Sequence, residues 1–162
     1  MIEGDIPLRV QALIDCQHGF KGIHRFFVTP LFPLPETVVA EKLEALVKLD
    51  AANSRMRDFY DLLTLAGQFS FESTLLCKAI EATFERRQTV FPSSVPLALT
   101  KEFAATKQKL WEGFLKRSKL EETEVDFSIV VQAIDAFLRK PMDAIAKGGS
   151  FKQTWSPGRS WK

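Results

Sequence analysis

From residue 36 onward, apolar residues recur three and four positions apart, the period of helices with one buried face. In ETVVAEKLEALVKL, Val39, Leu43, Leu46 and Val47 fall on one stripe and predict a first helix. Pro35 stands just ahead, where a proline suits a first helical position. Glu44 and Lys48 are spaced i,i+4 and predict a surface ion pair. The polar stretch DAANS (50–54) breaks the pattern. A second helix starts near Arg55, with Phe59, Leu62, Leu63 and Ala66 inward and Gly67 at its end. Ser70 is the expected cap of a third, whose apolar positions include Leu76, Ile80 and Phe84. Arg86 and Arg87 lie in its last turn, where cations suit the helix dipole. Residues 90–99 hold Pro92 and Pro96 and read as a loop. Thr100 then caps a fourth helix over 101–117, with Phe103, Leu110, Trp111 and Phe114 inward. Asp126 or Ser128 caps a fifth, which runs to about Lys147 and is expected to kink at Pro141. The tail GGSFKQTWSPGRSWK has glycine, proline and two Trp, and predicts a strap rather than a helix.

The first 35 residues differ. PLRVQALID (7–15) and HRFFVTPL (24–31) read as two short strands around the turn CQHGFKG, and LFPLP reads as an extended connector. The expected fold class is therefore mainly α: about five helices in an irregular bundle after a short two-strand segment. The expected division is 1–35 against 36–162.

Composition adds bounds. A chain of 162 residues with 46% hydrophobic and 26% charged residues is of ordinary globular composition, which excludes a disordered tail, a collagen-like chain or a coiled-coil rod. Fourteen Phe and three Trp supply the bulk of a core. A net charge of +2 gives no case for nucleic-acid binding from total charge. Cys16 and Cys77 form neither a disulfide framework nor a metal-ligand spacing, and read as idle thiols of a reducing cytosol. No apolar run reaches the ~18 residues of a membrane helix. The start, MIEGDIPLRVQ, carries acids where a signal peptide carries bases, so a cytoplasmic protein is expected. Charge is uneven: residues 101–119 hold six bases and two acids, and 120–147 hold three bases and six acids. Lys101, Lys107, Lys109, Lys116 and Arg117 thus read either as a solvated face or as a phosphate contact spread around one helix.

The densest charged cluster beside apolar faces is AEKLEALVKLDAANSRMRDFYDL (40–62). So short a link predicts that the first two helices pack on each other. That brings Lys42 within reach of Arg55, Arg57, Asp58 and Asp61. Asp58 and Asp61 are i,i+3 and share a side, while Arg57 and Asp61 are i,i+4 and can pair. Two readings stay open on spacing alone. One is a salt-bridge lattice pinning two helices. The other is a polar site whose Lys and Arg grip phosphates, with an Asp orienting the Lys or binding a metal-linked group.

The stretches A-E-K-L-E-A-L (40–46) and S-R-M-R-D-F-Y-D-L (54–62), with N-S-R after the break, resemble the AbiEii/AbiGii abortive-infection nucleotidyltransferase toxins. The ending, Gly148, Phe151 and W-S-P-G-R-S-W (155–161), is similar to that family's close. The resemblance runs from about Val38 to the C-terminus. It implies a type IV toxin–antitoxin component that moves a nucleotidyl group from an NTP to an acceptor, which for some relatives is a tRNA end. By that carry-over Lys42, Arg57 and Arg55 contact phosphates, and Asp58 and Asp61 are the acids of the catalytic motif. Mg²⁺ and an NTP are the implied cofactors. Nucleotide, tRNA, an antitoxin and a separate catalytic half are the implied partners.

The sequence departs from that family in one place. The family's Gly-Ser loop and metal-bearing Asp-x-Asp pair are absent, leaving Asp5 and Asp15 ten residues apart. Asp15 is the candidate for a metal-facing strand acid. The expectation is a shortened family member, inactive alone or completed by another chain. The rivals are a helical module that binds nucleotide, RNA or antitoxin without chemistry, and a decayed fragment. Asp50 stands where many relatives have Gly, and Asp tolerates the left-handed backbone. His18, His24 and the Ser93–Ser94 pair have no catalytic context.

Overall fold

The computed structural model describes residues 34–120 and 125–162. The strands expected at 7–15 and 24–31, together with Asp5, Asp15, Cys16, His18 and His24, lie outside the described residues. What is described is mainly helical. Helix α1 spans Pro35–Leu49, a 3₁₀ turn Asp50–Ala52, and α2 Met56–Gln68. Strand β1 (Phe71–Glu72) leads into α3 (Ser73–Arg86). A second 3₁₀ turn (Leu97–Leu99) precedes α4 (Lys101–Arg117), and α5 (Phe127–Ala146) is followed by β2 (Thr154–Trp155). The predicted fold class and five helices stand.

Helix α5 is the spine: α4, α2 and α3 all pack on it. Its Phe127, Val130, Val131, Ile134, Phe137 and Leu138 are all buried. Phe127 joins Trp111 in a stacked pair at 5.1 Å and meets Phe59 edge-on at 5.0 Å. Helix α1 lies chiefly along α3 and touches α2 less, so the short link makes a corner rather than a tight hairpin. Its predicted stripe is the one buried, since Val39, Leu43 and Leu46 are fully covered.

Two caps fall where predicted. The Thr100 hydroxyl accepts the Phe103 N–H at 3.3 Å, and the Asp126 carboxylate accepts the Ser128 N–H at 2.8 Å. Other expectations are corrected. Ser70 is exposed and caps nothing: Phe71–Glu72 intervenes as strand, and Glu72 is the N-cap of α3 without a side-chain bond. Leu110 is 44% exposed, because the buried face of α4 centres on Ala104, Trp111 and Leu115 and leaves it at the margin. Glu44 turns away from Lys48 and is buried against α3.

Pro141 sits inside α5, which continues as helix on both sides of it. A proline has no N–H, so the Phe137 carbonyl four residues back loses its helical donor. The Trp161 indole N–H supplies one at 2.9 Å. The same tail finishes α2. The Ala66 carbonyl, in the last turn where helical donors run out, accepts from the Trp155 indole at 2.7 Å and the Gly158 N–H at 3.0 Å. Strands β1 and β2 pair antiparallel, Phe71 facing Trp155 and Glu72 facing Thr154. The Ser73 hydroxyl, at the first residue of α3, donates to the Phe151 carbonyl at 2.6 Å and accepts the Gln153 N–H at 3.0 Å. The strap is thus an ordered clip joining α2, α3 and α5.

Candidate functional site

The corner between α1 and α2 carries the charged cluster. Asn53, fully buried, opens α2: its Oδ1 accepts the Arg55 N–H at 2.8 Å. Its side-chain nitrogen has no hydrogen-bond partner among the described residues. Asp58 then falls in the first turn of α2, where a negative charge suits the helix dipole. Asp61 follows one turn later on the same side.

Lys42 reaches across from α1. Its ammonium donates to Asp58 Oδ1 at 3.0 Å and to Asp61 Oδ2 at 2.8 Å. Arg55 Nε lies 2.8 Å from Asp58 Oδ2, a charge contact too bent to count as a hydrogen bond. Arg57 Nε lies 3.6 Å from Asp61 Oδ1. All five residues singled out in the sequence meet in one network of three cations and two carboxylates. Its members differ in exposure. The side chain of Asp58 is 5% exposed and that of Asp61 28%, while Arg55 and Arg57 project outward at 58% and 71%.

Burial works against the charge on Lys42, but the hydrogen bonds and charges of Asp61 and then Asp58 outweigh it and hold its pKa above the ordinary lysine value. The ammonium is therefore a fixed positive charge at neutral pH. A lysine held protonated in this way is not a proton-abstracting base.

A second network, missed in the sequence, braces α1 on α3. Glu44, 1% exposed, accepts from the Arg87 guanidinium at 2.9 Å and from the Thr89 hydroxyl. Glu41 accepts from Arg86 at 3.1 Å. These partners lie more than forty positions apart, so no local spacing signals them. Besides suiting the dipole at the end of their own helix, the two arginines thus pair with acids of α1. The residue type that could have drawn notice is Glu44, an acid on the inward stripe of α1.

The remaining candidates do not join the site. Lys101, Lys109, Lys116 and Arg117 are exposed, and Lys107 lies 5.5 Å over the Phe103 ring. Ser93 and Ser94 are exposed in the loop before the second 3₁₀ turn. Burial, with the charge of Glu81, pushes the Cys77 thiol up to about 11, which fits an idle thiol. No grouping of three or more His, Cys, Asp or Glu among the described residues could hold a metal ion. The oxygens of Asp58 and Asp61 face Lys42, Arg55 and Arg57, so these carboxylates do not fit a Mg²⁺ site as they stand. No helix among the described residues is long and apolar enough to cross a membrane.

No curated protein and no solved structure matches the chain. A family model does, over residues 9–140, a span that includes the whole charged cluster and stops before the tryptophan strap. That model is described as Nucleotidyl transferase AbiEii toxin, Type IV TA system, and with most of its length matched the chain belongs to this nucleotidyltransferase toxin family.

Proposed function

We propose that the α1–α2 corner is the nucleotide-phosphate site of a toxin-family nucleotidyltransferase. The observation that carries this reading is Lys42: a sheltered ammonium clamped by two carboxylates, with two outward-facing guanidinium groups beside it. In nucleotidyl transfer the oxygen of an acceptor hydroxyl bonds to the α-phosphorus and gives up its proton to solvent, while the bond from that phosphorus to the bridging oxygen breaks and pyrophosphate leaves with the electron pair. Positioning and charge neutralisation carry most of such a reaction. Lys42, Arg57 and Arg55 bind the triphosphate and neutralise the leaving group. Asp58 and Asp61, at the heart of the catalytic motif, fix the Lys42 ammonium. A tRNA end is the acceptor we favour, an antitoxin the partner, and the cytoplasm the compartment, all on family membership.

The chain contains no Asp-x-Asp pair. The family's Mg²⁺ chemistry therefore calls for carboxylates outside this cluster, from Asp15 or from another chain. The experiment combines binding and transfer. Purified chain is expected to bind NTP, to lose that binding in Lys42→Ala, and to incorporate no label from NTP into tRNA when alone with Mg²⁺. Incorporation by the chain alone overturns the need for a second contributor. Unchanged NTP affinity in Lys42→Ala returns the cluster to a lattice that pins two helices. Binding without transfer under every condition, with a partner chain included, favours the non-catalytic nucleotide- or RNA-binding module.

A further inference from the structure

The two aspartates of the cluster are not equivalent. Asp58 is nearly covered and touches both its cations closely, Lys42 at 3.0 Å and Arg55 at 2.8 Å. Asp61 is 28% exposed, holds Lys42 at 2.8 Å, and meets Arg57 only at 3.6 Å. Asp61 thus lies on the accessible side of the cluster, beside the outward-facing Arg57. Its carboxylate stands where an incoming anion competes for Lys42 and Arg57, whereas Asp58 supports Lys42 from the covered side.

Taking the corner as a phosphate site, we infer that Asp61 is a built-in counter-ion that phosphate must displace, and that Asp58 is the anchor that keeps Lys42 in place when it does. The charges give the direction. With Asp61 present the five groups sum to +1; without its charge they sum to +2. An anion then meets one more unit of positive charge and no competing oxygen. Neutralising Asp58 also brings the sum to +2, but it takes away the covered partner that must hold Lys42 and Arg55 once a phosphate has displaced Asp61. One substitution therefore tightens anion binding and the other loosens it, although the residues lie one turn apart and both pair with the same lysine. Because Asp61 is the more accessible of the two, Lys42 exchanges it for a phosphate without any opening of the core.

The test uses inorganic pyrophosphate as the probe, the full chain, and calorimetric titration without divalent metal. Asp61→Asn is expected to bind pyrophosphate at least ~10-fold more tightly than the unmutated chain, the scale of one unit charge removed a few Å from a half-exposed site. Asp58→Asn and Lys42→Ala are expected to bind at least ~10-fold more weakly. A gain in affinity cannot come from damage to the fold, so a merely structural Asp61 does not produce it. Equal or weaker binding by Asp61→Asn overturns the counter-ion role. If Lys42→Ala still loses binding in that case, the phosphate site itself survives. Unchanged binding by Lys42→Ala, or none by any variant, removes the phosphate site and the counter-ion role together. Carbon-13 NMR of the aspartate carboxyl groups in the unmutated chain gives a check that needs no substitution. Pyrophosphate is expected to move the Asp61 resonance more than that of Asp58, and the reverse order overturns the inference.

Discussion

Lys42 combines two properties that a phosphate-binding lysine needs: a fixed position and a secure charge. Its raised pKa ties stability to alkaline pH. A lysine whose folded pKa lies above its unfolded value near 10.5 contributes stability that is fully present below that value and lost as pH rises through the folded one. The stability gap between the unmutated chain and Lys42→Met, from urea titrations, is therefore expected to stay level from neutrality to about pH 10 and to shrink above it. A gap that shrinks between pH 6 and 9 contradicts this. Asp50 is a second residue with a measurable consequence. It ends α1 at a positive φ of 45°, a backbone that suits glycine, and its side chain is exposed. Asp50→Gly is expected to raise stability by about 0.5–1 kcal/mol in chemical denaturation, from relief of that strain. A loss of similar size means that the Asp50 carboxylate makes a contact worth more than the strain.

Among the elements, α5 and the strap depend on each other. Pro141 removes the donor to the Phe137 carbonyl, and Trp161 replaces it while its ring stacks on Phe137 at 6.1 Å. Trp161→Phe keeps an aromatic ring but leaves that buried carbonyl without the indole donor, a cost of about 1–3 kcal/mol. Pro141→Ala restores the missing N–H within the helix. The double-mutant cycle is expected to show Trp161→Phe costing less in the Pro141→Ala background, by roughly 1 kcal/mol in thermal or urea unfolding. Strict additivity would mean that the indole bond does not substitute for the helical one. Helix boundaries were legible in the sequence because apolar period, prolines and caps act within a turn or two of chain. The strap pairing was not, since Trp155 meets Ala66 across 89 positions and Ser73 meets Phe151 across 78. Such contacts depend on how α2, α3 and α5 pack, which no local pattern encodes. The β1–β2 pair, two residues on each side, is too short to alternate visibly.

For the whole molecule, the charged corner was legible in its membership and not in its inequality. Spacing alone places Asp58 and Asp61 on one side of α2 and Arg57 within reach of Asp61. It does not say which acid is covered, because that depends on how α1 crosses α2. The expected α1–α2 hairpin gave way to α1 resting on α3, held by the buried Glu44 paired with the exposed Arg87. This places Lys42 on a braced helix, so the cluster is anchored from two sides. The family match spans the charged cluster, and no group of carboxylates, His or Cys among the described residues could hold a metal ion. On the proposed function, the charged corner holds the phosphates of a nucleotidyltransferase toxin's nucleotide. The most direct measurement is NTP affinity of the unmutated chain and Lys42→Ala, taken together with their unfolding free energies. The phosphate site predicts at least a ~10-fold loss of affinity, beyond any loss of stability, in protein that remains folded. Unchanged affinity alongside a stability loss of about 1–3 kcal/mol would show that Lys42 only pins α1 to α2.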